Sequence, residues 1–432
     1  MSYSLVIEYL YGLQKHGIKL GLETMRLLLE RVGNPQRSLR VLHVGGTNGK
    51  GSTAAMAATV LQRSGLRVGL YTSPHLVEFR ERIRVDGEMI TEEQVSELVR
   101  RLRSILGHDL NPTFFEMVTA MAFLHFAESK VDVAVLEVGL GGRFDATNVV
   151  MEPLACAITT IGLDHQEHLG QTEKSIAFEK GGIIKPHVPI VIGRMDLHAE
   201  GVLRRIATEM SAPLRQLGRD FDIHVKDSDR CMYRGATYVV DDLTCGLAGR
   251  HQWDNAACAL ALLEAAGRAG IRISETAVRE GLRTVLWEGR LESIEEYPTV
   301  ILDGAHNPPA ATVLAQYLKD YVSSHPTTRV ILVWAMMRDK DHRGFVAPLQ
   351  SVVSEIVLTQ TSLARSATVD ELRFAVDAWS GPVWKAVHPM NALAVAKGRA
   401  ASHDLICIAG SLMLVGEVKA AVRGCGLSPI HG

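Results

Sequence analysis

Apolar and polar residues alternate in blocks along the chain. Four short apolar runs, at residues 41–44, 66–71, 131–138 and 156–161, each lead into a loop and then a longer stretch with helical spacing. Short runs without polar alternation predict strands buried on both faces. The first half should therefore form a doubly wound parallel sheet covered by helices. Residues 221–247 break this rhythm. Alternating positions separated by the turn residues Asp227-Ser228-Asp229 and Arg234-Gly235 predict small antiparallel strands. An alanine- and leucine-rich helix is expected at 253–267. The pattern pauses around Glu288-Gly289-Arg290 and Tyr297-Pro298. A second set of apolar runs then appears, at 300–303, 330–336, 355–359, 383–387 and 405–409, with helical segments between them. The expected organisation is an N-terminal domain over 1–290, a linker over 291–298 and a second, Rossmann-like α/β domain over 299–432.

Composition narrows the classes without naming a chemistry. A length of 432 residues exceeds one ordinary core and fits two or three domains. A net charge of −2 offers no electrostatic case for nucleic acid or an anionic membrane as partner. No apolar run approaches the roughly 18 residues of a membrane span. The first twenty residues lack the basic start, apolar block and cleavage site of a signal peptide, so a cytoplasmic location is expected. The six cysteines are scattered, with no C-x-x-C pair, and read as small buried hydrophobes.

The first chemical signal is Val41-Leu42-His43-Val44-Gly45-Gly46-Thr47-Asn48-Gly49-Lys50-Gly51-Ser52. A buried strand runs into a glycine-rich loop and then into a helix expected from Ser52 to Gly65. Glycines let backbone N–H groups turn toward one point, and the helix N-terminus adds unpaired donors and a positive dipole end. Lys50 supplies a mobile positive charge for terminal phosphates. The first domain is thus P-loop-type. The spacing is irregular, because Gly51 separates the lysine from Ser52.

The second signal is convergence. In open α/β sheets, ligands sit beyond the carboxyl ends of the strands. There the chain places Thr72-Ser73-Pro74-His75, Glu137 followed by Gly139-Leu140-Gly141-Gly142, and Gly162-Leu163-Asp164-His165. A hydroxyl (Ser73), a carboxylate (Glu137) and an imidazole (His165) beside phosphates suit Mg²⁺, which takes few protein ligands and keeps water and phosphate oxygens. Lys180 ends a helix expected over 172–179, ahead of Gly181-Gly182. On spacing alone it complements the helix dipole beside a glycine cap.

Together these motifs resemble the folylpolyglutamate synthase/dihydrofolate synthase family of the Mur-ligase superfamily. The matching segments are Gly46-Thr47-Asn48-Gly49-Lys50-Gly51-Ser52, Thr72-Ser73-Pro74-His75, Glu137-Val138-Gly139-Leu140-Gly141-Gly142-Arg143-Phe144-Asp145-Ala146-Thr147-Asn148, Leu163-Asp164-His165, Glu179-Lys180, Gly289-Arg290 and Asp303-Gly304-Ala305-His306-Asn307-Pro308. Gly410-Ser411-Leu412 and Val415-Gly416-Glu417 also fit, so the resemblance spans nearly the whole chain. The Lys50-Gly51-Ser52 step is typical of that family.

The resemblance implies an ATP-dependent carbon–nitrogen ligase that adds L-glutamate to dihydropteroate, to reduced folates or to both through an acyl phosphate. It implies two Mg²⁺ ions, one on Ser73 and Glu137 and the other on His165. It makes Lys180 a carbamylated lysine rather than a helix-dipole partner. It assigns ATP contacts to Asn48, Gly49, Lys50, Gly51, Ser52, Asn255, Arg290 and Asp303, and gives His306 a catalytic part beside Lys50 and Lys180. The pterin is expected near Thr113, Phe114, Phe115 and Glu116 and near Phe144, Asp145 and Ala146. Aromatic faces can stack on a flat ring there, and a carboxylate can accept its N–H groups. Phe114 and Phe115 read equally well as core packing. Lys19-Leu20-Gly21-Leu22 resembles another substrate-side loop. A monomer acting only on small molecules is expected.

Three rival readings remain at this stage. Another Mur-type ligase acting on a cell-wall precursor is disfavoured by Gly141-Gly142-Arg143-Phe144-Asp145. A nucleotide-driven switch binding a protein, or a P-loop kinase, would be expected to carry Ser or Thr directly after the lysine.

Overall fold

The computed structural model describes residues 2–17, 21–107, 109–226 and 229–428. The Lys19 and Leu20 part of the substrate-side loop, and Asp227 and Ser228 of the expected turn, lie outside the described residues. The first sheet contains β1 Val41–Gly45, β2 Val68–Tyr71, β3 Ile83–Val85, β4 Glu88–Met89, β5 Val133–Glu137, β6 Ala155–Ile158, β7 Ile190–Ile192 and β8 Leu214–Gln216. Their order is β4-β3-β2-β5-β1-β6-β7-β8. The six strands from β2 to β8 run parallel, and β3 and β4 add an antiparallel edge. β1, β5 and β6 are buried at every position, as expected of strands covered on both faces. The small antiparallel sheet is β9 Asp222–Val225, β10 Cys231–Arg234 and β11 Val239–Leu243. The alanine-rich helix that follows it, His251–Gly267, packs with the Lys50–Arg63 helix into one face of the first core.

The second sheet holds β12 Glu292–Glu296, β13 Thr299–Leu302, β14 Val330–Trp334, β15 Glu355–Leu358, β16 Val383–Lys385 and β17 Leu405–Ala409, in the order β12-β13-β17-β14-β15-β16. All its pairings are parallel except β12 with β13. Here the structure corrects the sequence reading. Residues 291–298, expected as a linker, form an edge strand and its turn, with Glu292 opposite Leu302 and Glu296 opposite Thr299. The pause in the apolar pattern reflects an edge strand, whose side chains are only partly buried. The link between the two sheets is instead residues 285–291, between the Glu275–Thr284 helix and β12.

The two halves also share apolar contacts. Leu76 and Val77, on the loop after β2, are buried in the cluster formed by β13, β14, β17 and the Leu412–Arg423 helix of the second half. On the same side, buried Lys419 pairs with Glu288 at 3.2 Å and with Glu292, which fixes the approach to Arg290.

Candidate active site

The register of the first sheet builds the site. Val44 pairs with Glu137 on one side of β1, and Gly45 pairs with Ile158 on the other. The loop leaving β1 therefore emerges between the ends of β5 and β6. It is stapled to the β6 side. Thr47 N donates to Thr160 O (2.8 Å) and Asn48 N to Thr160 Oγ1 (3.0 Å), while Thr159 Oγ1 donates to Asn48 O (2.6 Å). Gly49 precedes the helix at φ +84°, and a β-carbon there would lie 2.2 Å from Asn255 Oδ1. Only glycine serves that position. The helix starts at Lys50, two residues earlier than the sequence indicated, and Lys50 Nζ folds back to Thr47 O at 3.1 Å.

A single cleft of about 1690 Å³ opens over these strand ends, and every site residue named from the sequence lines it. Glu137 is buried at the end of β5 and accepts from Ser73 N at 3.1 Å. Burial raises its carboxyl pKa, and Lys50, the Ser73 amide, Arg290 and Arg82 pull the other way. Lys180 is 5 % exposed at the end of the Glu173–Lys180 helix and donates to Gly46 O at 2.8 Å. Burial, reinforced by Lys50, lowers its ammonium to about 7. A lysine that merely complemented a helix dipole would be solvated. This one points into the phosphate loop. Its seat depends on Gly182, where a β-carbon would fall 2.4 Å from Arg143 Cα.

His165 sits on a left-handed backbone (φ +50°) ahead of a one-turn helix. Desolvation by the surrounding cleft lowers its imidazole to about 4, partly opposed by Asp164, while 43 % of the side chain stays exposed. A neutral ring is the form that can offer a nitrogen lone pair to a cation. One carboxylate, one hydroxyl and one neutral imidazole fit a hard cation that keeps most of its shell for water and phosphate. Among the described residues, no group of three or more His, Cys, Asp or Glu side chains could hold an ion.

The opposite wall comes from the second sheet. Arg290 donates to Gly289 O (3.0 Å). Asp303, at the end of β13, accepts from Leu291 N (3.0 Å) and Ala305 N (2.9 Å), so it shapes the loop that carries His306. His306 Nδ1 bonds Gly304 O at 2.8 Å, and its Nε2 lies 3.5 Å from Asp164. Asp164 is the junction between the walls. It accepts from Asn307 Nδ2 (3.0 Å) and pairs with Lys340 (2.5 Å). Burial alone would raise its carboxyl pKa, but His306, His165 and Lys340 outweigh burial and hold it well below the usual range. Asn307 and Asn48 also exchange two amide hydrogen bonds of 3.1 Å across the cleft.

On the far side of the cleft, some expected pterin contacts are engaged by the protein itself. Glu116 and Thr113 form a capping box at the start of the Phe114–Glu128 helix, with bonds of 2.8 and 3.2 Å. That motif explains a buried carboxylate in an apolar run. Phe114 stacks on Tyr11 with ring centres 5.4 Å apart, and the Arg82 guanidinium lies 5.2 Å from its centre. Phe115 packs beside Tyr71 and Gly139. Asp145 accepts from Leu140 N (2.9 Å), Thr147 N (3.0 Å) and Thr147 Oγ1 (2.5 Å), which ties its loop together next to buried Ala146. Phe144, 42 % exposed, is the aromatic ring of this group that faces open space.

Sequence reasoning missed Lys340, Arg365, Arg82 and the Thr159–Thr160 staple. Lys340 had a readable signal. The apolar run expected over 330–336 ends just ahead of the charged stretch Arg338-Asp339-Lys340-Asp341.

Comparison with known proteins places this geometry in context. Residues 44–263 match the Mur ligase middle domain, and residues 289–412 match the Mur ligase glutamate ligase domain. Dihydrofolate synthase/folylpolyglutamate synthase of Bacillus subtilis is 35 % identical over 427 residues, covering 96 % of this chain and 98 % of that protein. The structure of E. coli FolC in complex with DHPP and ADP superposes with a TM-score of 0.90 at 33 % identity, covering 98 % of each chain. A bifunctional folylpolyglutamate synthase/dihydrofolate synthase from Yersinia pestis, complexed with AMPPNP and Mn ion, gives a TM-score of 0.88 at 30 % identity over 98 % of each chain. Two parallel-rich sheets facing each other across a phosphate loop, with matches over almost the whole length, establish that the chain belongs to the dihydrofolate synthase/folylpolyglutamate synthase family of Mur ligases.

Proposed function

We propose that this protein is an ATP-dependent ligase that joins L-glutamate to dihydropteroate and also to reduced folates. The observation carrying this reading is the convergence of the phosphate loop, Glu137 and Lys180 from one sheet with Arg290, Asp303 and His306 from the other on a single cleft. The nucleotides bound by the E. coli and Yersinia relatives support ATP as co-substrate, and the Mn ion of the latter supports a divalent cation.

A carboxylate is a poor electrophile, so the chemistry needs activation. A substrate carboxylate oxygen attacks the γ-phosphorus of ATP, the bond to ADP breaks, and an acyl phosphate forms. The glutamate nitrogen then attacks the acyl carbon, loses a proton, and expels inorganic phosphate as the amide forms. Lys50 and the amides from Gly49 to Ser52 hold the phosphates beside Asn48, and Asn255, Arg290 and Asp303 locate the rest of the nucleotide. Ser73 with Glu137, and His165, would hold two Mg²⁺ ions, which supply charge neutralisation at the transferring group. His306, 3.5 Å from Asp164 on the second wall, would assist at the amine or the phosphate. Lys180 is a site for carbamylation, because an ammonium lowered to about 7 leaves a large fraction of neutral amine near neutral pH. The resulting carbamate would turn a buried cation into an anion beside the second cation site. Phe144 offers a face to the pterin ring.

Product analysis tests the reading. With ATP, Mg²⁺, glutamate and either dihydropteroate or a reduced folate, the expected products are ADP, phosphate and a pterin one glutamate heavier by mass spectrometry. Release of AMP and pyrophosphate would overturn the acyl-phosphate route. Extension of only one pterin would remove the second activity.

A further inference from the structure

The step Lys50-Gly51-Ser52 has a physical cause outside the phosphate loop. A β-carbon on Gly51 would fall 2.8 Å from Nε1 of Trp287, and 3.1 and 3.2 Å from Cζ2 and Cε2 of the same indole. Trp287 is half-buried and lines the cleft. Its ring therefore lies against the first turn of the Lys50–Arg63 helix, the turn whose free amides face the phosphates. In a close-packed contact of this kind, a side chain on residue 51 would have to displace the indole.

Trp287 also marks where the link between the two sheets passes from one half to the other. Before it, the Glu275–Thr284 helix packs so closely on the phosphate helix that a β-carbon on Gly281 would lie 2.7 Å from Val60 Cα. Val285 is buried in the first core, and Trp287 packs against that core. After it, the contacts belong to the second half. Glu288 pairs with Lys419 and Arg423, Gly289 O accepts from Gly304 N at 2.8 Å, and Leu291 N donates to Asp303 at 3.0 Å. Arg290 is thus held by the second half, three residues beyond an anchor on the phosphate helix. Three residues of chain reach about 10 Å at most, so the indole limits how far Arg290 can stand from the phosphates.

We propose that Trp287 is a positioning residue for the nucleotide: seated on Gly51, it sets the distance of Arg290 from the phosphate loop. This rests on the ligase reading above, in which Arg290 contacts ATP. Gly51 leaves the space that the indole fills, which accounts for a glycine directly after the lysine.

Double-mutant cycles test the role, with ADP release followed at saturating pterin and glutamate. Trp287→Ala should raise the KM for ATP about tenfold and leave the KM for the pterin within about twofold. Arg290→Ala should raise the KM for ATP at least as much. The two changes together should cost little more than Arg290→Ala alone, because the indole acts through the arginine. Gly51→Ala should weaken ATP binding in the wild type and weaken it less beside Trp287→Ala, where the added methyl group has room. Melting temperatures check that each variant is folded, and Trp287→Leu runs the same cycles if the alanine variant is unstable. Additive losses from the tryptophan and arginine changes, an unchanged KM for ATP in a folded Trp287 variant, or an equal cost of Gly51→Ala in both backgrounds would overturn the positioning role and leave the ligase reading standing. Absence of glutamate-dependent ADP release in the wild type would overturn the ligase reading, and the role of Trp287 with it.

Discussion

The two walls of the cleft handle charge in opposite ways. On the first wall, Glu137, Asp145 and Lys180 are buried and held chiefly by backbone groups and short local contacts. On the second wall, Arg365 stands exposed on a loop at the rim, Lys340 is tucked against Asp164, and the wall reaches across through that pair and the Asn307–Asn48 amides. The first wall is thus pre-organised and carries the cost of desolvating its charges before any ligand arrives. The second meets the first through a few side-chain pairs instead of a shared sheet. Phosphoryl transfer rewards the first design, because donors already in place need no reorganisation as charge moves. Amino-acid entry and product exit suit the second.

Removing charge from the first wall should therefore cost most. Glu137→Gln keeps the shape and removes the anion, and kcat should fall by about a hundredfold or more. If turnover survives near wild-type level in a variant with unchanged melting temperature, the first wall is scaffold rather than machinery. Because burial raises the Glu137 carboxyl pKa, the anion is lost at a higher pH than for a free glutamate, and wild-type turnover should decline on that earlier acid limb.

Lys180 separates catalysis from stability. Lys180→Met should reduce turnover strongly. In the apo protein without bicarbonate, the folded-state pKa near 7 lies below the ordinary 10.5, so the unfolded chain holds a proton that the folded chain has lost across that window. Wild-type stability should therefore rise with pH between about 7 and 10.5 relative to Lys180→Met, by on the order of a few kcal/mol in total. Denaturant melts at several pH values measure this, and a flat difference would show that the lysine is not desolvated. With ¹³C-labelled bicarbonate, a carbamate resonance present in wild type and absent in the variant would identify the modification.

A smaller effect is expected at Gly49→Ala. The left-handed backbone and the 2.2 Å approach to Asn255 should cost about 1–3 kcal/mol. The KM for ATP should rise and the KM for the pterin should hold. Smallest of all is Glu116→Gln. Glutamine also completes a capping box, so stability should change by less than about 0.5 kcal/mol. If the KM for the pterin moves as well, the carboxylate reads the substrate in addition to capping its helix.

What the sequence revealed follows from the same contrast. β1, β5 and β6 were legible because strands buried on both faces are short unbroken apolar runs, and the residues just past each run line the cleft. Glu116 was harder to read. Its partner is three residues away, but an aromatic pair between them drew attention to stacking. The strand at 292–296 was missed because a half-exposed edge strand has no unbroken apolar run, so the pattern pauses there as it would in a linker. Lys180 could not be read from local spacing, since its burial depends on Gly46, 134 positions away in the chain. Lys340 and Asp164 meet over 176 positions, and no periodicity in one sequence encodes such a pair.

The loop after β2 connects the two walls mechanically. Ser73 N reads the Glu137 carboxylate, and only three residues later Leu76 and Val77 are buried in the core of the second half. A rotation of the second half would carry those two side chains with it and draw on Ser73 through a few bonds of chain. The loop is in effect a short crank, so the position of Ser73 beside Glu137 and any movement of the second half become one degree of freedom.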